Sequence, residues 1–459
     1  MTLLVELGNI LREVTPVRAT GTVTRSVGLL LEAAGPPARI GEKCLLHSTS
    51  GRHPVVCEVV GFSQEHVLLM PYEELRDIGV GTMVESTGSP LTVPVGPQML
   101  GRVLDALAEP MDNLGPIIPV TRYPVNGDPP PALSRDPITE ILPLGVRALD
   151  SLMPCGIGQR LGIFAGPGLG KSSLLGMIAR NAQADVNVIA LIGERGREVR
   201  EFIERDLGVE GLQRSVVVVA TSDMPPVFRL RGAQVATAIA EYFRDEGCRV
   251  MLMMDSVTRF AWAQREVGLA TGEPPARNGY TPSVFAALPR LLERAGNSDR
   301  GSITALYTIL MEADDVDDPV ASVVRATLDG HIYLSRKLAT AGHYPAVDVL
   351  ESVSRTVTQI TTPEHQKLAR DIRACIAAYR DTEDLINLGA YVHGTNPLVD
   401  RALALREPIN MLLRQDVQEA STLEECFAAM QAICTAPIPD LTAEFHGKLP
   451  PTEPRWVDN

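Results

Sequence analysis

From Ala165 to Ser173 the chain reads Ala-Gly-Pro-Gly-Leu-Gly-Lys-Ser-Ser, a run that few folds can use. The residues before it, 160–164, form a short β-type run, and 174–180 after it have helical character. A strand, a glycine-rich turn and a helix N-terminus make a phosphate cradle, because backbone N–H groups and the helix dipole face one anion. A Cβ on the loop glycines would block the backbone's approach to phosphate and penalise the positive φ values of the turn. In the G-x-x-x-x-G-K-[ST] pattern, Lys171 reaches the β- and γ-phosphates and Ser172 offers a hydroxyl to Mg²⁺. Gly166, Pro167, Gly168, Leu169, Gly170 and Ser173 complete the cradle, and Ala165 stands where the pattern has its first Gly. Glycine-rich turns also occur without ligands. The strand before this one and the helix after it imply a nucleoside-triphosphate site.

Two carboxylates fall where such a loop needs them. Residues 250–255, Val-Met-Leu-Met-Met-Asp, are an apolar run ending in Asp255, the acid that a phosphate loop requires beside it for the Mg²⁺ shell. Glu194, in Gly193-Glu194-Arg195-Gly196, follows the apolar run 188–192, and the carboxyl end of a strand neighbouring the loop faces the ligand. A carboxylate there polarises an attacking water. Glu equally suits the first turn of a solvated helix, and spacing alone leaves the two readings level. Tyr344, in Gly-His-Tyr-Pro-Ala, offers a ring to stack on a base, and Arg355 offers a guanidinium as an arginine finger. For these two, residue physics alone favours packing or a surface ion pair.

Apolar runs at 187–192, 215–220, 250–255 and 303–309 alternate with helical stretches at 197–207, 231–246, 256–266 and 283–295. The strands are continuously apolar, as in a parallel sheet covered on both faces, so the core is α/β. Ahead of it, 17–92 is a series of brief β-type segments separated by Gly, Pro and Ser, which reads as a small β-barrel. That barrel offers only Phe62 and Tyr72 for stacking on bases, and the whole chain carries a net charge of −14. Both features favour a structural or ring-forming role over nucleic-acid binding. Residues 94–154, rich in Pro and Gly, read as a connector leading into the nucleotide domain. Beyond Pro363, helical stretches at 363–379, 398–413 and 422–432 form a C-terminal helical domain. The expected units are a helical segment 1–16, the barrel 17–92, the P-loop domain 93–362, the helical domain 363–448 and a flexible tail 449–459. No run reaches the 18 or so apolar residues of a membrane span, and the first residues lack the pattern of a secretory signal. The seven cysteines are scattered, odd in number and without C-x-x-C spacing. They read as reduced thiols of a cytoplasmic protein.

Taken in order, longer motifs resemble the flagellar and type III secretion export ATPases, relatives of the catalytic subunits of rotary ATP synthases. They include Gly88 to Gly96 with Leu100 to Asp105, Gly158-Gln159-Arg160 through Ser172, and Asp255-Ser256-Val257-Thr258-Arg259-Phe260-Ala261. Gly279-Tyr280-Thr281-Pro282-Ser283, Leu328-Asp329-Gly330-His331-Ile332 and His343-Tyr344-Pro345-Ala346-Val347-Asp348 continue the series. The resemblance implies a RecA-like P-loop core in a homohexameric ring that binds ATP and Mg²⁺ at subunit interfaces. Lys171 and Ser172 would bind phosphate and Mg²⁺, and Asp255 would be the magnesium-side acid. Glu194 would position the hydrolytic water with Arg195 beside it, Tyr344 would contact adenine, and Arg355 would reach the γ-phosphate of the neighbouring subunit. It also implies a stator-like regulator, a central stalk protein, a membrane export gate, and export substrates with their chaperones. The membrane contact would be peripheral, at the inner face of the export apparatus.

The stretch from Pro274 to Gly296, with Gly389-Ala390-Tyr391 and Gly394-Thr395-Asn396-Pro397, is nearest to the flagellar branch. The injectisome counterpart is the alternative, and a non-hydrolysing ring subunit is a further one that Glu194 weighs against. An RNA-translocating ring is disfavoured by the acidic balance. Several positions depart from the family pattern: Ile157 replaces a basic residue, Ala106, Ala108 and Ala313 replace glycines, and Ser322 replaces an acid.

Overall fold

A computed structural model of the chain describes residues 18–48, 53–311 and 318–437. The helix expected over 1–16, the tail over 449–459 and Ala313 lie outside the described residues. Strands β1 (Thr20–Val27), β2 (Leu30–Ala34), β3 (Glu42–His47), β4 (Val55–Ser63), β5 (His66–Pro71) and β6 (Met83–Pro90) close into a barrel in the order β1-β2-β5-β4-β3-β6. Val23, Leu31, Leu46, Val59, Leu69 and Val84 fill it. Closure pairs every strand on both sides, so no edge is left to aggregate. β3 and β6 were not legible as strands, because one carries Glu42, Lys43 and His47 and the other is mostly Glu, Ser, Thr, Gly and Pro. A buried ion pair fastens the barrel to the next domain. Arg231 donates through Nε to Glu58 of β4 at 2.6 Å, and the Tyr72 hydroxyl donates to the same carboxylate at 2.5 Å.

The connector read over 94–154 contains strands, which corrects that expectation. β7 (Thr92–Val95) pairs with β9 (Thr121–Pro124), and between them β8 (Val103–Asp105) leaves the hairpin. β10 (Ile141–Leu142) and β11 (Cys155–Gly156) form a short antiparallel pair. The central sheet follows: β12 (Arg160–Ala165), β13 (Val186–Ile192), β14 (Ser215–Ala220), β15 (Arg249–Asp255), β16 (Gly296–Asn297), β17 (Ser302–Leu310), β18 (Gly330–Leu334) and β19 (Val347–Ser354). Its order is β19-β18-β12-β17-β15-β13-β14-β8, with β16 beside the start of β17. β8, three residues long, is thus an outer strand of the nucleotide-domain sheet, parallel to β14. Three residues are too few to show a period, and the flanking Pro and Gly hid it. The family glycine position at Ala108 lies just beyond. There the backbone is left-handed, with φ of 64°, a conformation that glycine adopts more cheaply than alanine.

Every neighbour pair in the sheet is parallel except β18–β19 and β16–β17. β13 and β14 are buried along their full lengths, as continuous apolar runs in a doubly covered sheet should be. The order sets β12, β17, β15 and β13 side by side, so their carboxyl ends open along one line. The helix expected over 197–207 is α-helical only over Gly196–Glu201 and widens into a π-type turn over Phe202–Leu207. Beside that turn the helix Lys171–Asn181 comes close: a Cβ on Gly176 would stand 2.7 Å from the Asp206 carbonyl oxygen. Arg180 donates to that same carbonyl.

The C-terminal helices are Pro363–Asn387, Pro397–Leu413 and Leu423–Thr435. Gln415 ties them to the nucleotide domain. Its side chain accepts from the Arg147 backbone at 2.7 Å and donates to the Gly145 carbonyl at 2.9 Å, while its own N–H donates to the Tyr344 carbonyl at 2.9 Å. Among the described residues no helix is long and apolar enough to cross a membrane. The seven cysteines are free thiols.

A second buried ion pair, Arg294–Glu241, holds the segment after the helix Pro282–Leu292 to the helix Pro226–Asp245. The fork is bidentate at 2.8 and 2.6 Å, and the third nitrogen reaches the Val125 carbonyl at 2.8 Å. Arg294→Ala strands the Glu241 carboxylate in the interior and is expected to destabilise the protein by about 3–5 kcal/mol. Urea unfolding measures this, and a loss under about 1 kcal/mol would contradict it.

Candidate active site

Past Ala165, the last residue of β12, the chain turns through Gly168 (φ 76°) and Gly170 (φ 84°), left-handed positions that suit glycine. Gly170 is the N-cap of the helix Lys171–Asn181, and no side chain caps its first turn. The first N–H groups of that helix are therefore left to an outside acceptor, with the positive end of the dipole behind them. Ser172 opens to solvent at this end and Ser173 is half-buried. Gly166 to Ser173, read from the sequence as the cradle, lie together here.

The charges converge from neighbouring strands. Asp255 ends β15, and the register pairs it with Leu191 of β13, so Glu194 comes three residues beyond on the adjacent strand. Lys171 Nζ donates to Asp255 Oδ1 at 2.5 Å and stands 3.7 Å from Glu194 Oε1. The side chains of Lys171, Glu194 and Asp255 are only 12%, 13% and 5% exposed, so solvent screens these charges little. Burial disfavours the Lys171 ammonium, but Asp255 and Glu194 outweigh it and hold its pKa above the ordinary value. Burial, and then the charge of Asp255, push the Glu194 carboxyl up to about 7 against the pull of Lys171. Among the described residues, Glu194 Oε1 has no hydrogen-bond partner. Gly193 sets this residue's position. It has φ of 70°, and a Cβ on it would stand 2.7 Å from the Cβ of Arg259.

The remaining expected residues divide. The Tyr344 ring lies against the loop, since a Cβ on Gly170 would stand 3.5 Å from it, and the residue is 43% exposed. Arg195 does not face inward: its side chain is 81% exposed and pairs with Glu198 at 3.6 Å. Arg355 is not brought to this chain's own loop either. It follows β19, whose last residue Ser354 pairs with Gly330, which in turn pairs with Leu161 near the start of β12. That is the amino end of the sheet, roughly 16 Å along the strand from Gly166 at about 3.3 Å per residue. Arg355 is exposed there.

Three neighbours of the site were assigned no role from the sequence. The Thr308 hydroxyl, on β17, donates to Asp255 Oδ1 at 2.7 Å. Arg259 packs its stem against Gly193 and stacks its guanidinium 4.6 Å from the Trp262 ring centre. Arg336 reaches toward Gly166, beside a cavity of about 640 Å³ that also takes in Leu169, Arg325, His331 and Tyr333. Thr308 is a polar residue inside an apolar run with no spacing to mark it, and Arg259 and Arg336 sit in polar stretches where an arginine has no distinct signature. Only the fold shows what they touch.

The residues fit a nucleoside triphosphate with Mg²⁺. The glycine turn has its helix N–H groups uncapped, and Glu194 Oε1 is a buried acceptor that a bound water would satisfy. Among the described residues no group of three or more His, Cys, Asp or Glu could hold a metal by itself. Mg²⁺ characteristically binds through one or two protein oxygens plus phosphates and waters, and Ser172 and Asp255 match that demand.

Comparison with known proteins agrees along the chain. The family model for the ATP synthase alpha/beta nucleotide-binding domain matches residues 145–354, that for the ATP synthase alpha/beta beta-barrel domain matches 23–88, and that for the T3SS EscN ATPase C-terminal domain matches 361–432. The flagellum-specific ATP synthase of Bacillus subtilis is 52% identical, over 90% of this chain and 94% of its own. The type 3 secretion system ATPase of Xanthomonas euvesicatoria is 50% identical, over 91% and 94%. The assembled ATPase EscN of enteropathogenic E. coli superposes with a TM-score of 0.86 at 43% identity, covering 90% of this chain and 99% of that one. EscN has also been solved with its central stalk EscO (TM-score 0.84, 42% identity, 90% and 99% coverage).

Gly193→Ala combines an unfavourable φ with a contact against Arg259. It is expected to lower stability by about 1–3 kcal/mol, read by thermal or urea unfolding. A variant as stable as the wild type would contradict the geometry given to Gly193.

Proposed function

The chain belongs to the family of flagellum-specific and type III secretion export ATPases, and on that premise we propose that it is a Mg²⁺-dependent ATP hydrolase energising protein export by the flagellar apparatus. The observation that carries this reading is the convergence of Lys171, Asp255 and Glu194, whose Oε1 accepts no hydrogen bond from the described residues, beside an uncapped glycine loop. The injectisome counterpart is the second reading, because relatives of both kinds are about equally similar to this chain.

In the proposed reaction the loop N–H groups bind the phosphates, and Lys171 turns from Asp255 to the β- and γ-phosphates. Ser172 and Asp255 would hold Mg²⁺, which would supply charge neutralisation at the phosphates. Tyr344 stacks on adenine. Glu194 accepts a hydrogen bond from water and holds it in line with the γ-phosphorus; as the water oxygen bonds to phosphorus, the bridging oxygen leaves with ADP. Arg355 of a neighbouring copy stabilises charge on the transferring group, a contribution of about 4–7 kcal/mol to the barrier if it matches other arginine fingers. Arg195, which faces solvent, is assigned a supporting place beside Glu194 at the same interface.

The exposed position of Arg355, at the opposite end of the sheet from its own loop, supports a shared site and hence a closed homo-oligomer, with a homohexamer as the expected form. EscN's complex with a central stalk supports a stalk partner here. We extend the assignment to a stator-like regulator, a membrane export gate, and export substrates with their chaperones, and place the ring in the cytoplasm, peripheral to the gate. Release of substrates from chaperones and engagement of the gate are the steps that turnover would drive.

Glu194→Gln is expected to keep nucleotide binding while turnover falls at least about a hundredfold. Because the working form of Glu194 is its carboxylate and its pKa is raised in the nucleotide-free site, wild-type turnover at subsaturating ATP, which reports the free enzyme, should rise with pH through about 7 and fall about tenfold per unit well below it. A turnover profile flat from pH 5.5 to 8.5, or a glutamine variant of near-normal turnover, would remove Glu194 from the water-orienting role.

A further inference from the structure

Thr308 lies on the strand between the two halves of the phosphate machinery. Its strand, β17, runs between β12, which leads into the loop, and β15, which ends in Asp255. In the register Thr308 pairs with Ile163 of β12, while its neighbour Tyr307 pairs with Met254, one residue before Asp255. The residue is fully buried in a strand that reads Ser-Ile-Thr-Ala-Leu-Tyr-Thr-Ile-Leu. A hydroxyl there is retained at a desolvation cost unless it is hydrogen-bonded. Two acceptors stand within reach, Asp255 Oδ1 at 2.7 Å and the Met254 carbonyl at 3.3 Å. With one proton to give, the hydroxyl favours the shorter, charge-assisted bond to the carboxylate.

Among the described residues, both side-chain donors to Asp255 fall on the same oxygen. Oδ1 takes the Lys171 ammonium at 2.5 Å and the Thr308 hydroxyl at 2.7 Å, so Oδ2 keeps its lone pairs for an outside partner. The two donors differ in what substrate does to them. Lys171 sits on a long, rotatable stem and has phosphates to answer to; Thr308 is β-branched, stiff and sealed inside the sheet. When Lys171 turns to the phosphates, Thr308 is the donor that stays.

We infer that Thr308 is a positioning residue for the metal side of the site: its hydroxyl fixes the Asp255 carboxylate, with Oδ2 presented to the Mg²⁺ shell, independently of where Lys171 points. This rests on the ATPase reading of the site. Residues that orient a metal's carboxylate without touching the metal commonly change its affinity by 10- to 100-fold when removed. The effect belongs to metal use, not to phosphate binding.

The test is ADP binding by calorimetry on the full chain, once in EDTA and once across a Mg²⁺ series. Thr308→Val keeps the shape and removes the hydroxyl, and Thr308→Ser keeps the hydroxyl. The valine variant is expected to bind ADP in EDTA as the wild type does, yet to need on the order of tenfold more Mg²⁺ for half of the metal-dependent gain in affinity. The serine variant should restore the wild-type requirement. An unchanged Mg²⁺ requirement in the valine variant would overturn the role, as would an equal loss of affinity in EDTA or a serine variant that behaves like valine. Wild-type protein that bound no ADP, or bound it without regard to Mg²⁺, would overturn the ATPase reading and this role with it.

Discussion

A single ammonium group, Lys171, holds two buried carboxylates together at the carboxyl ends of neighbouring strands. Asp255 and Glu194 would repel one another in a poorly screened interior without that cation. Their coexistence depends on the helix that begins at Lys171 starting within reach of β15 and β13. That start depends on Gly168 and Gly170 taking left-handed conformations. The same compensation leaves the site poised for substrate. A triphosphate brings more negative charge than the two acids can, so the lysine has a stronger partner to move to. Burial and then Asp255, with Glu198, push the Glu194 carboxyl up further than Lys171 and Arg259 pull it down.

The polarity of a parallel sheet then separates Arg355 from this chain's own loop. All carboxyl ends open on one side, where the loop, Asp255 and Glu194 collect. β19 runs the other way and delivers Arg355 to the opposite end. No rearrangement of one protomer short of unfolding the sheet edge moves that guanidinium to its own loop. On the proposed reading, a second copy supplies the guanidinium that this chain's own loop lacks. Around this core the barrel is locked through Arg231 to Glu58, and the C-terminal helices through Gln415 to the Tyr344 carbonyl. Motion in the helical domain thus has a short mechanical path to Tyr344, the residue proposed to stack on the base.

Much of this was legible in the chain because it is local. The loop, the apolar strand ending in Asp255 and the Gly-Glu turn after β13 each lie in one short segment, and their residue types answer to one chemical demand. β13, β14, β15 and β17 were visible as apolar runs because both faces of the sheet are covered. β8, β18 and β19 were not, because outer strands are short, polar on one side or interrupted, and their membership is decided by distant partners. Thr308 was hidden for the same reason: a threonine in a strand says nothing until β15 is laid beside it. Ala108 shows the intermediate case. Its departure from a family glycine could be read off, but the left-handed backbone that explains the glycine could not.

The central claim is that each site is completed by two copies of the chain, and mixing of two inactive variants tests it most directly. Lys171→Ala lacks the cradle's cation and retains Arg355; Arg355→Ala retains the cradle and lacks the finger. Each alone should be inactive as a ring. Mixed and reassembled, some interfaces join an intact cradle to an intact Arg355, so turnover should reappear, greatest near equal proportions. Silence at every ratio, in rings shown to contain both variants, would contradict a shared site.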